Sequence, residues 1–201
     1  MPRFLLGIAF LLAIGTAGAR AADPDALLPE MALGAADAPV TIYEHSSLTC
    51  GHCANFHTET LPQIKKTYID TGKARLVFRH FPIGNLAYAA ALLPYCAGPD
   101  RAFGFLEVLF RTQETWAASR DPLKELSKIA RLGGMSAEDF EQCLGNQELF
   151  AAIRDRAQAD AQTYGIEATP TFSIGGEQLV GNHPYDAFAK AIDDALKAAG
   201  K

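Results

Sequence analysis

Hydrophobic residues in the first part of this chain follow strand spacing and helix spacing in turn. The β-branched and aromatic runs at 39–44 and 73–79 predict strands. Apolar residues at helical spacing over about 54–68 predict a helix between them, which Pro62 is expected to kink. A strand, a crossing helix and a second strand form a βαβ unit, so we expect these two strands to be parallel.

The pattern from residue 86 to residue 164 is helical only. Capping residues precede the apolar stretches, and glycine follows the last of them at Gly165. The residues predicted to cap these helices are Asp100, Asp121, Ser136 and Asn146. We therefore expect an inserted all-helical domain at 86–164.

Strand spacing returns after the helical block. Residues 171–180 predict a hairpin around two glycines, and 185–198 predict an amphipathic helix. The order βαβ, helices, ββα predicts an α/β fold in which one domain is built from 39–85 and 165–201.

The N-terminus has the pattern of an export signal. Arg3 precedes an apolar run over 4–14, and the small residues Ala17-Gly18-Ala19 follow. The apolar run is shorter than the roughly 20 residues that span a bilayer, which favours a cleaved signal peptide over a membrane anchor. The expected bounds are 1–19 for the signal peptide, 19–22 for cleavage and 20–38 for an N-terminal segment.

Charge and compartment narrow the function classes. The formal net charge of −5 argues against nucleic acid as a partner, because phosphate binding requires clustered Lys and Arg. An exported chain lies in an oxidising compartment, where disulfides persist.

The four cysteines fall into two kinds. Cys50 and Cys53 are separated by two residues, whereas Cys96 and Cys143 are isolated. We expect the close pair to turn over and the distant pair to form a structural disulfide across the helical block. Two free buried thiols remain the alternative for the distant pair.

The motif Cys50-Gly51-His52-Cys53 lies between a predicted strand and a predicted helix. Backbone N–H groups and the helix dipole should stabilise a Cys50 thiolate, and His52 can add positive charge or a hydrogen bond. A Cys50 pKa about 3 units below neutrality would favour the dithiol by about 4 kcal/mol, or about 90 mV toward the oxidising side. The motif therefore predicts thiol–disulfide exchange.

Other uses of the motif are open at this point. A zinc site could combine the two cysteines with His45, His52 or His57, although structural zinc sites usually add a second close cysteine pair. A permanently closed disulfide is the other alternative, which a setting that activates thiols disfavours.

The chain resembles the DsbA family of bacterial periplasmic dithiol oxidases, in the branch that joins a thioredoxin fold to an inserted helical domain. The resemblance runs from about Pro39 to the end. The residues that carry it are Val40-Thr41-Ile42-Tyr43-Glu44, the Cys50–Cys53 motif and Ala168-Thr169-Pro170-Thr171-Phe172, with the helical block before them and the hairpin and helix after.

The resemblance implies roles for individual residues. Cys50 corresponds to the exposed nucleophile and Cys53 to its buried partner. Pro170 corresponds to a cis proline opposite the motif, with Thr169 before it, in a loop that takes up substrate backbone. Glu44 corresponds to a buried acid that helps to move protons at the second cysteine.

The resemblance also implies a function. We expect a periplasmic dithiol oxidase, needing no cofactor or metal, that donates disulfides to folding secreted proteins and is reoxidised by a membrane quinone-linked partner resembling DsbB. The short segment before Pro39 favours a monomer. Gly51-His52 stands where Pro-His is common, and Gly-His is typical of eukaryotic protein disulfide isomerases. A disulfide isomerase or reductase with the same residues is therefore the nearest alternative. A periplasmic metal-binding chaperone, in which Cys50, Cys53 and a histidine hold copper, is a second alternative.

Overall fold

The computed structural model describes residues 27–201, and the predicted signal peptide lies outside them. Within this range one mixed sheet has the strand order β1-β3-β2-β4-β5. Its strands are β1 Met31–Leu33, β2 Val40–Ser46, β3 Ala74–His80, β4 Thr171–Ile174 and β5 Glu177–Val180. β2 and β3 pair in parallel, as the predicted βαβ unit requires, and β4 and β5 form the predicted antiparallel hairpin. The pairs β1–β3 and β2–β4 are also antiparallel.

Helices make up most of the remainder. The helix α1 follows β2 in four consecutive segments, Gly51–Asn55, Phe56–Thr60, Leu61–Ile64 and Lys65–Ile69. The inserted helices are α2 Asn85–Ala97, α3 Pro99–Arg111, α4 Gln113–Ala117, α5 Pro122–Leu132, α6 Ala137–Leu144 and α7 Gln147–Tyr164, and the last helix is α8 Tyr185–Ala198. In the described part of the chain, no helix combines the length and apolar character needed to cross a membrane.

Pro62 changes the geometry of α1. The segments Phe56–Thr60 and Lys65–Ile69, on either side of it, are π-helical. Proline has no N–H to donate and its ring crowds the preceding turn, and the wider turn at Phe56–Thr60 accommodates both effects. The sequence predicts a local disturbance at this residue but not its form.

Three of the four predicted helix caps form. Asp121 accepts a hydrogen bond from the Lys124 N–H, Ser136 forms a capping box with Asp139, and Asn146 caps α7. The prediction for Asp100 is wrong, because α3 begins at Pro99 and its cap is Gly98. Proline is well suited to the first helical position, so the helix starts before the acid.

The strand β1 is absent from the sequence-based prediction, which treats 20–38 as a separate segment. Met31–Leu33 pairs with β3 at one edge of the sheet. Three residues are too few to give a recognisable alternation.

Two hydrophobic clusters meet at the start of α1. One joins the sheet to α1 and α8 and includes Ile42, Phe56 and Phe188. The other fills the inserted helices and extends to Leu48 and Cys53. The beginning of α1 is therefore packed against both halves of the molecule.

Candidate active site

Cys50 lies at the junction of β2 and α1. It is the N-cap residue of α1, with extended backbone angles, and its carbonyl accepts hydrogen bonds from the N–H groups of Cys53 and Ala54. This geometry directs the Cys50 side chain toward the helix N-terminus, where N–H groups lack intrahelical partners. The side chain is half-buried, so an incoming thiol can reach the sulfur.

Its surroundings lower the pKa of the Cys50 thiol to about 5. The largest cause is a hydrogen bond from the Cys53 side chain, followed by one from Thr169 and by the backbone N–H groups of Cys53 and His52. Partial burial acts in the opposite direction without cancelling these donors. Cys50 is therefore a thiolate at neutral pH.

Cys53 has the opposite character. It is fully buried, and burial raises the pKa of its thiol, an effect that the hydrogen bond to Cys50 increases. The two sulfurs are not joined by a disulfide in this structure. One cysteine is thus accessible and anionic, and the other is buried and protonated.

Thr169 and Pro170 lie against this pair, although they are distant in sequence. The Thr169–Pro170 peptide bond is cis. The Cys50 Sγ is 3.3 Å from the Thr169 carbonyl oxygen, to which a Cys50 thiol donates. The fold therefore places the start of β4 beside the start of α1.

His52 is exposed. The interaction recorded between this residue and the Cys50 sulfur is made by the His52 backbone N–H. A contribution from its imidazole charge stays a prediction.

Glu44 is completely buried in β2. Alternation along the strand puts Glu44 on the same face as Ile42 and Ser46. Its Oε1 accepts a hydrogen bond from the Ser46 hydroxyl and lies 2.9 Å from His57 Nε2. Ser46 lowers the pKa of the Cys53 thiol, against the larger raising effect of burial. The acid is thus held by one hydroxyl group and one imidazole.

The sequence analysis gives three residues of this site no role in the thiol chemistry, and it names His57 only as a possible zinc ligand. Ser46 is two positions after Glu44 on one strand face, and His57 is four positions after Cys53 on one helix face, so both spacings carry a signal. Gln113 carries none, because it comes from the inserted helix α4. Its buried amide donates hydrogen bonds of 2.8 Å and 3.0 Å to the carbonyls of Leu48 and Cys50.

The other predicted residues lie apart from this site. Cys96 and Cys143 are joined by a disulfide between α2 and α6. His45 faces the other side of β2, where its ring is 5.0 Å from that of Tyr164. Among residues 27–201, no group of three or more His, Cys, Asp or Glu side chains is arranged to hold a metal ion.

Known proteins share this architecture. A family model described as Thioredoxin matches residues 27–194. The crystal structure of alpha-DsbA1 from Wolbachia pipientis has a TM-score of 0.79 and 30% sequence identity, over 88% of this chain and 98% of that chain. Oxidised BdbD from Bacillus subtilis has a TM-score of 0.75 and 27% identity, over 84% of this chain and 93% of that one.

A relative known from sequence extends the likeness. The Rickettsia conorii "Putative protein-disulfide oxidoreductase" is 35% identical over 169 residues, which are 84% of this chain and 61% of that protein. The chain thus spans less than two thirds of the length of this relative. Together these likenesses confirm the predicted thioredoxin-like fold with a helical insertion.

Proposed function

We propose that this chain, which belongs to the thioredoxin family and within it to the DsbA-like proteins, is a protein thiol–disulfide oxidoreductase that donates the Cys50–Cys53 disulfide to client proteins. The observation that carries the proposal is the asymmetry of the two thiols. Cys50 is accessible with a pKa of about 5, whereas Cys53 is buried with a raised pKa. The names of the Wolbachia, Bacillus and Rickettsia relatives support the same activity.

The reaction begins with the oxidised pair. A client thiolate attacks Cys50 Sγ, a bond forms between the client sulfur and Cys50, and the Cys50–Cys53 bond breaks. Cys53 leaves with the electron pair and takes up a proton. A second client thiolate then attacks the first client sulfur and releases Cys50. The client has gained a disulfide, and the enzyme has gained two electrons.

Thiolate stability sets the direction of this exchange. Hydrogen bonds and helix N–H groups stabilise the Cys50 thiolate, so the dithiol form is favoured over the disulfide. The same stabilisation makes Cys50 a good leaving group when the client resolves the mixed disulfide. Both effects favour oxidation of the client.

Thr169 and Pro170 are proposed to hold the client. Proline has no backbone N–H, and the Thr169 carbonyl lies beside the reacting sulfur. An extended client segment can pair with the backbone at the half-buried Thr169 while its cysteine meets Cys50. This role comes from the resemblance and from the proximity of the two segments.

The cycle requires an oxidant for the resulting dithiol. We propose a membrane quinone-linked protein resembling DsbB as that oxidant, folding secreted proteins as clients, the periplasm as the compartment and a monomer as the working form. The proposed chemistry uses the two cysteines without a cofactor or metal.

Two measurements test the proposal. The purified protein should oxidise a reduced unfolded client, and equilibration with glutathione should give a potential well above the roughly −270 mV of thioredoxin. A potential near that of thioredoxin would replace the oxidase with a reductase. Preferential repair of a client with scrambled disulfides would identify an isomerase.

A further inference from the structure

A groove between α3 and α5, called the α3–α5 groove below, lies on the inserted helices and encloses about 560 Å³, a volume typical of ligand sites. Its apolar side chains are those of Phe105, Val108, Ile129 and Leu132. A cleft between α1 and the residues where α3 gives way to α4 shares Arg111 and Thr112 with the groove and extends to Gly51. The groove and the cleft therefore adjoin, and the cleft ends beside Cys50.

The walls of the α3–α5 groove are fixed by contacts within the fold. Arg101 donates hydrogen bonds of 2.9 Å to the Ala97 carbonyl and 2.8 Å to the Gly133 carbonyl, which join the start of α3 to the end of α5. Gly133 is needed at its position, because a Cβ there would overlap the ring of Phe105. A groove that is formed before binding loses less entropy on binding than one that must first be ordered.

Gly104 keeps part of the groove open. It lies in the interior of α3, where glycine is less favourable than alanine. A Cβ at Gly104 would meet no atom within 4 Å, so packing within the fold does not require glycine here. The missing side chain does leave space in the groove, which Gly104 lines. A helix that loses stability while keeping this space open indicates a ligand from outside the fold.

The rim of the groove exposes apolar surface. Leu132, the last residue of α5, is 86% exposed, the largest value for a large hydrophobic side chain in the described part of the chain. Exposed apolar surface beside a concavity is typical of binding sites. An unfolded client presents apolar side chains that a folded protein buries, so an unfolded segment matches this lining.

Charged groups lie at intervals along the same path. Asp100 and Arg101 line the α3–α5 groove, and Glu114 lines the cleft. Arg111 lies between these acids, where the groove and the cleft meet. Among residues 27–201 it forms no ion pair, so its guanidinium can bind a carboxylate of the client.

The distance from the reacting cysteine determines which part of a client reaches the groove. Gln113 donates to the Cys50 carbonyl, and Gly104 is nine positions earlier in the chain. At about 1.5 Å per helical residue, these positions cover about 14 Å. An extended chain covers about 14 Å with roughly four residues. A client segment therefore reaches Gly104 about four residues from its own cysteine.

We propose that the α3–α5 groove binds an apolar segment of the unfolded client, which begins about four residues from the reacting cysteine and places a carboxylate at Arg111. The inference rests on the proposed function and adds a client preference to it. The groove and the cleft are lined without Thr169 and Pro170, so this contact is separate from the one proposed for that loop.

Synthetic dithiol peptides measure the preference. The reference peptide has two cysteines separated by four polar residues. The test peptide adds glutamate, leucine, phenylalanine and leucine, starting four residues before or after the cysteines. The oxidised protein should oxidise the test peptide with a kcat/KM at least about 10-fold above that of the reference, which corresponds to about 1.4 kcal/mol. A spacer of one residue should lose this gain, because the apolar segment then falls short of the groove.

Two variants alter the groove without entering the active site. Gly104→Leu fills the open space and should reduce the ratio of the two kcat/KM values to near one. Leu132→Ser removes the apolar rim and should reduce the ratio several-fold. Glu107→Leu and Leu123→Ser are the matched controls, since they make similar changes at exposed residues of α3 and α5 outside the groove. Both controls should keep the wild-type ratio.

Arg111→Gln tests the charged contact. The wild-type protein should prefer the test peptide over a version in which glutamine replaces its glutamate. The variant should oxidise the two versions equally, because the guanidinium that binds the carboxylate is absent. A wild-type protein that does not distinguish the two versions would remove Arg111 from the proposal.

The proposal has clear contradicting results. Leucine favours a helix more than glycine does, so the melting temperature of Gly104→Leu should not fall. A folded Gly104→Leu protein with the wild-type ratio would overturn the proposal, and so would an unchanged ratio in Leu132→Ser. A concentration-dependent dimer that Gly104→Leu abolishes, with no change in the peptide ratio, would assign the groove to a second copy of this chain instead.

Failure of the proposed function is distinguishable from failure of this inference. If the wild-type protein oxidises neither peptide, the proposed function is contradicted. A fluorescent, cysteine-free version of the test peptide then measures the groove by itself through fluorescence anisotropy. Binding that Gly104→Leu weakens at least about 10-fold and Glu107→Leu leaves unchanged would support the groove, and equal binding by the two variants would overturn it.

Discussion

The two cysteine pairs occupy opposite ends of helices. Cys50 caps the N-terminus of α1, whereas Cys96 and Cys143 lie in the last turns of α2 and α6. A helix N-terminus presents N–H groups and partial positive charge to a sulfur, and a C-terminus presents carbonyls and partial negative charge. The same element of secondary structure therefore stabilises a thiolate in one pair and disfavours it in the other.

Access does not separate the pairs. A surface concavity lined by Cys96, Cys143 and Met135 reaches the second disulfide. Asp139 lines it too, and hydrogen bonds from Ser136 hold the pKa of that carboxyl below its usual value, so it is anionic. A reducing thiolate thus meets negative charge there, whereas it meets stabilising donors at Cys50. The stability of the Cys50 thiolate, and not exposure alone, therefore distinguishes the pair that turns over from the pair that does not.

Removing single cysteines should have the largest effect. Cys50→Ala should abolish client oxidation, because the accessible thiolate is lost. Cys53→Ala should accumulate mixed disulfides with clients, because the buried thiol that resolves them is absent. Non-reducing gels followed by mass spectrometry measure both results. Equal trapping by the two variants would contradict the division of labour.

Mild reduction should distinguish the pairs by their rates. Dithiothreitol should free Cys50 and Cys53 in the oxidised native protein while the other disulfide persists. The remaining two thiols should appear only after denaturation. Alkylation and peptide mapping over time give the order. Release of Cys96 and Cys143 first would show that helix position does not control these sulfurs.

Removing the second disulfide should act on stability and spare turnover. The bond closes a loop between residues 47 positions apart, and loop entropy values such a crosslink at roughly 4 kcal/mol as an upper figure. Cys96→Ala combined with Cys143→Ala should therefore lower the melting temperature by several degrees. Client oxidation per folded molecule should stay near that of wild type. A folded double variant without turnover would make the second pair part of a relay.

We expect Cys50 and Cys53 to determine how the stability of the reduced protein depends on pH. Folding lowers the Cys50 pKa to about 5 from about 8.5, so its thiolate adds stability that is complete above the unfolded value and disappears as pH falls through 5. Folding raises the pKa of Cys53, so above about pH 8.5 this thiol ionises in the unfolded protein but not in the folded one. The free energy of unfolding therefore decreases above that pH. Denaturant unfolding of the reduced protein should therefore show increasing stability from pH 5 to about 8.5.

Cys50→Ala is the control for this titration. In this variant the free energy of unfolding should lack the pH-dependent contribution of the Cys50 thiolate. We expect that contribution to be smaller than the contribution of the Cys96–Cys143 disulfide, because Cys50 is only half-buried. An equal pH slope in the variant and the wild-type protein would mean that the Cys50 pKa is not lowered by folding.

Local signals in the sequence predict most of the reacting centre. Cys50 and Cys53 are recognised from their spacing at a strand–helix junction, whereas the role of Glu44 follows from the resemblance. The cis bond before Pro170 follows from the resemblance alone, because trans is the common form of such bonds. These residues are predictable since their roles depend on neighbours close in sequence or on a family motif.

The residues that the sequence does not reveal depend on tertiary packing. The periodicity places Ser46 beside Glu44 on one face of β2. The contact between His57 and Glu44 arises only when α1 packs against β2. Gln113 meets the Cys50 loop because α4 is packed there by the insertion, which no local pattern records. The contribution of the insertion to the active site is therefore a property of the folded molecule.

Gln113→Ala is expected to have the smallest effect, and it tests whether the two regions are independent. The substitution leaves the carbonyls of Leu48 and Cys50 without their donor, at a cost of about 1–3 kcal/mol if water does not replace it. Melting temperature and client oxidation should both decrease slightly, because the loop that holds Cys50 loses a support.

Combining Gln113→Ala with the removal of Cys96 and Cys143 gives the sharper result. The hydrogen-bond partners of Gln113 and the residues lining the second disulfide do not overlap. Changes at sites without shared partners add within about 0.5 kcal/mol, so the free energies of unfolding should sum. The loss of turnover should come from Gln113 alone. A clearly non-additive result would mean that the insertion transmits the state of its disulfide to the Cys50 loop, which would end the separation of a reactive pair from a structural one.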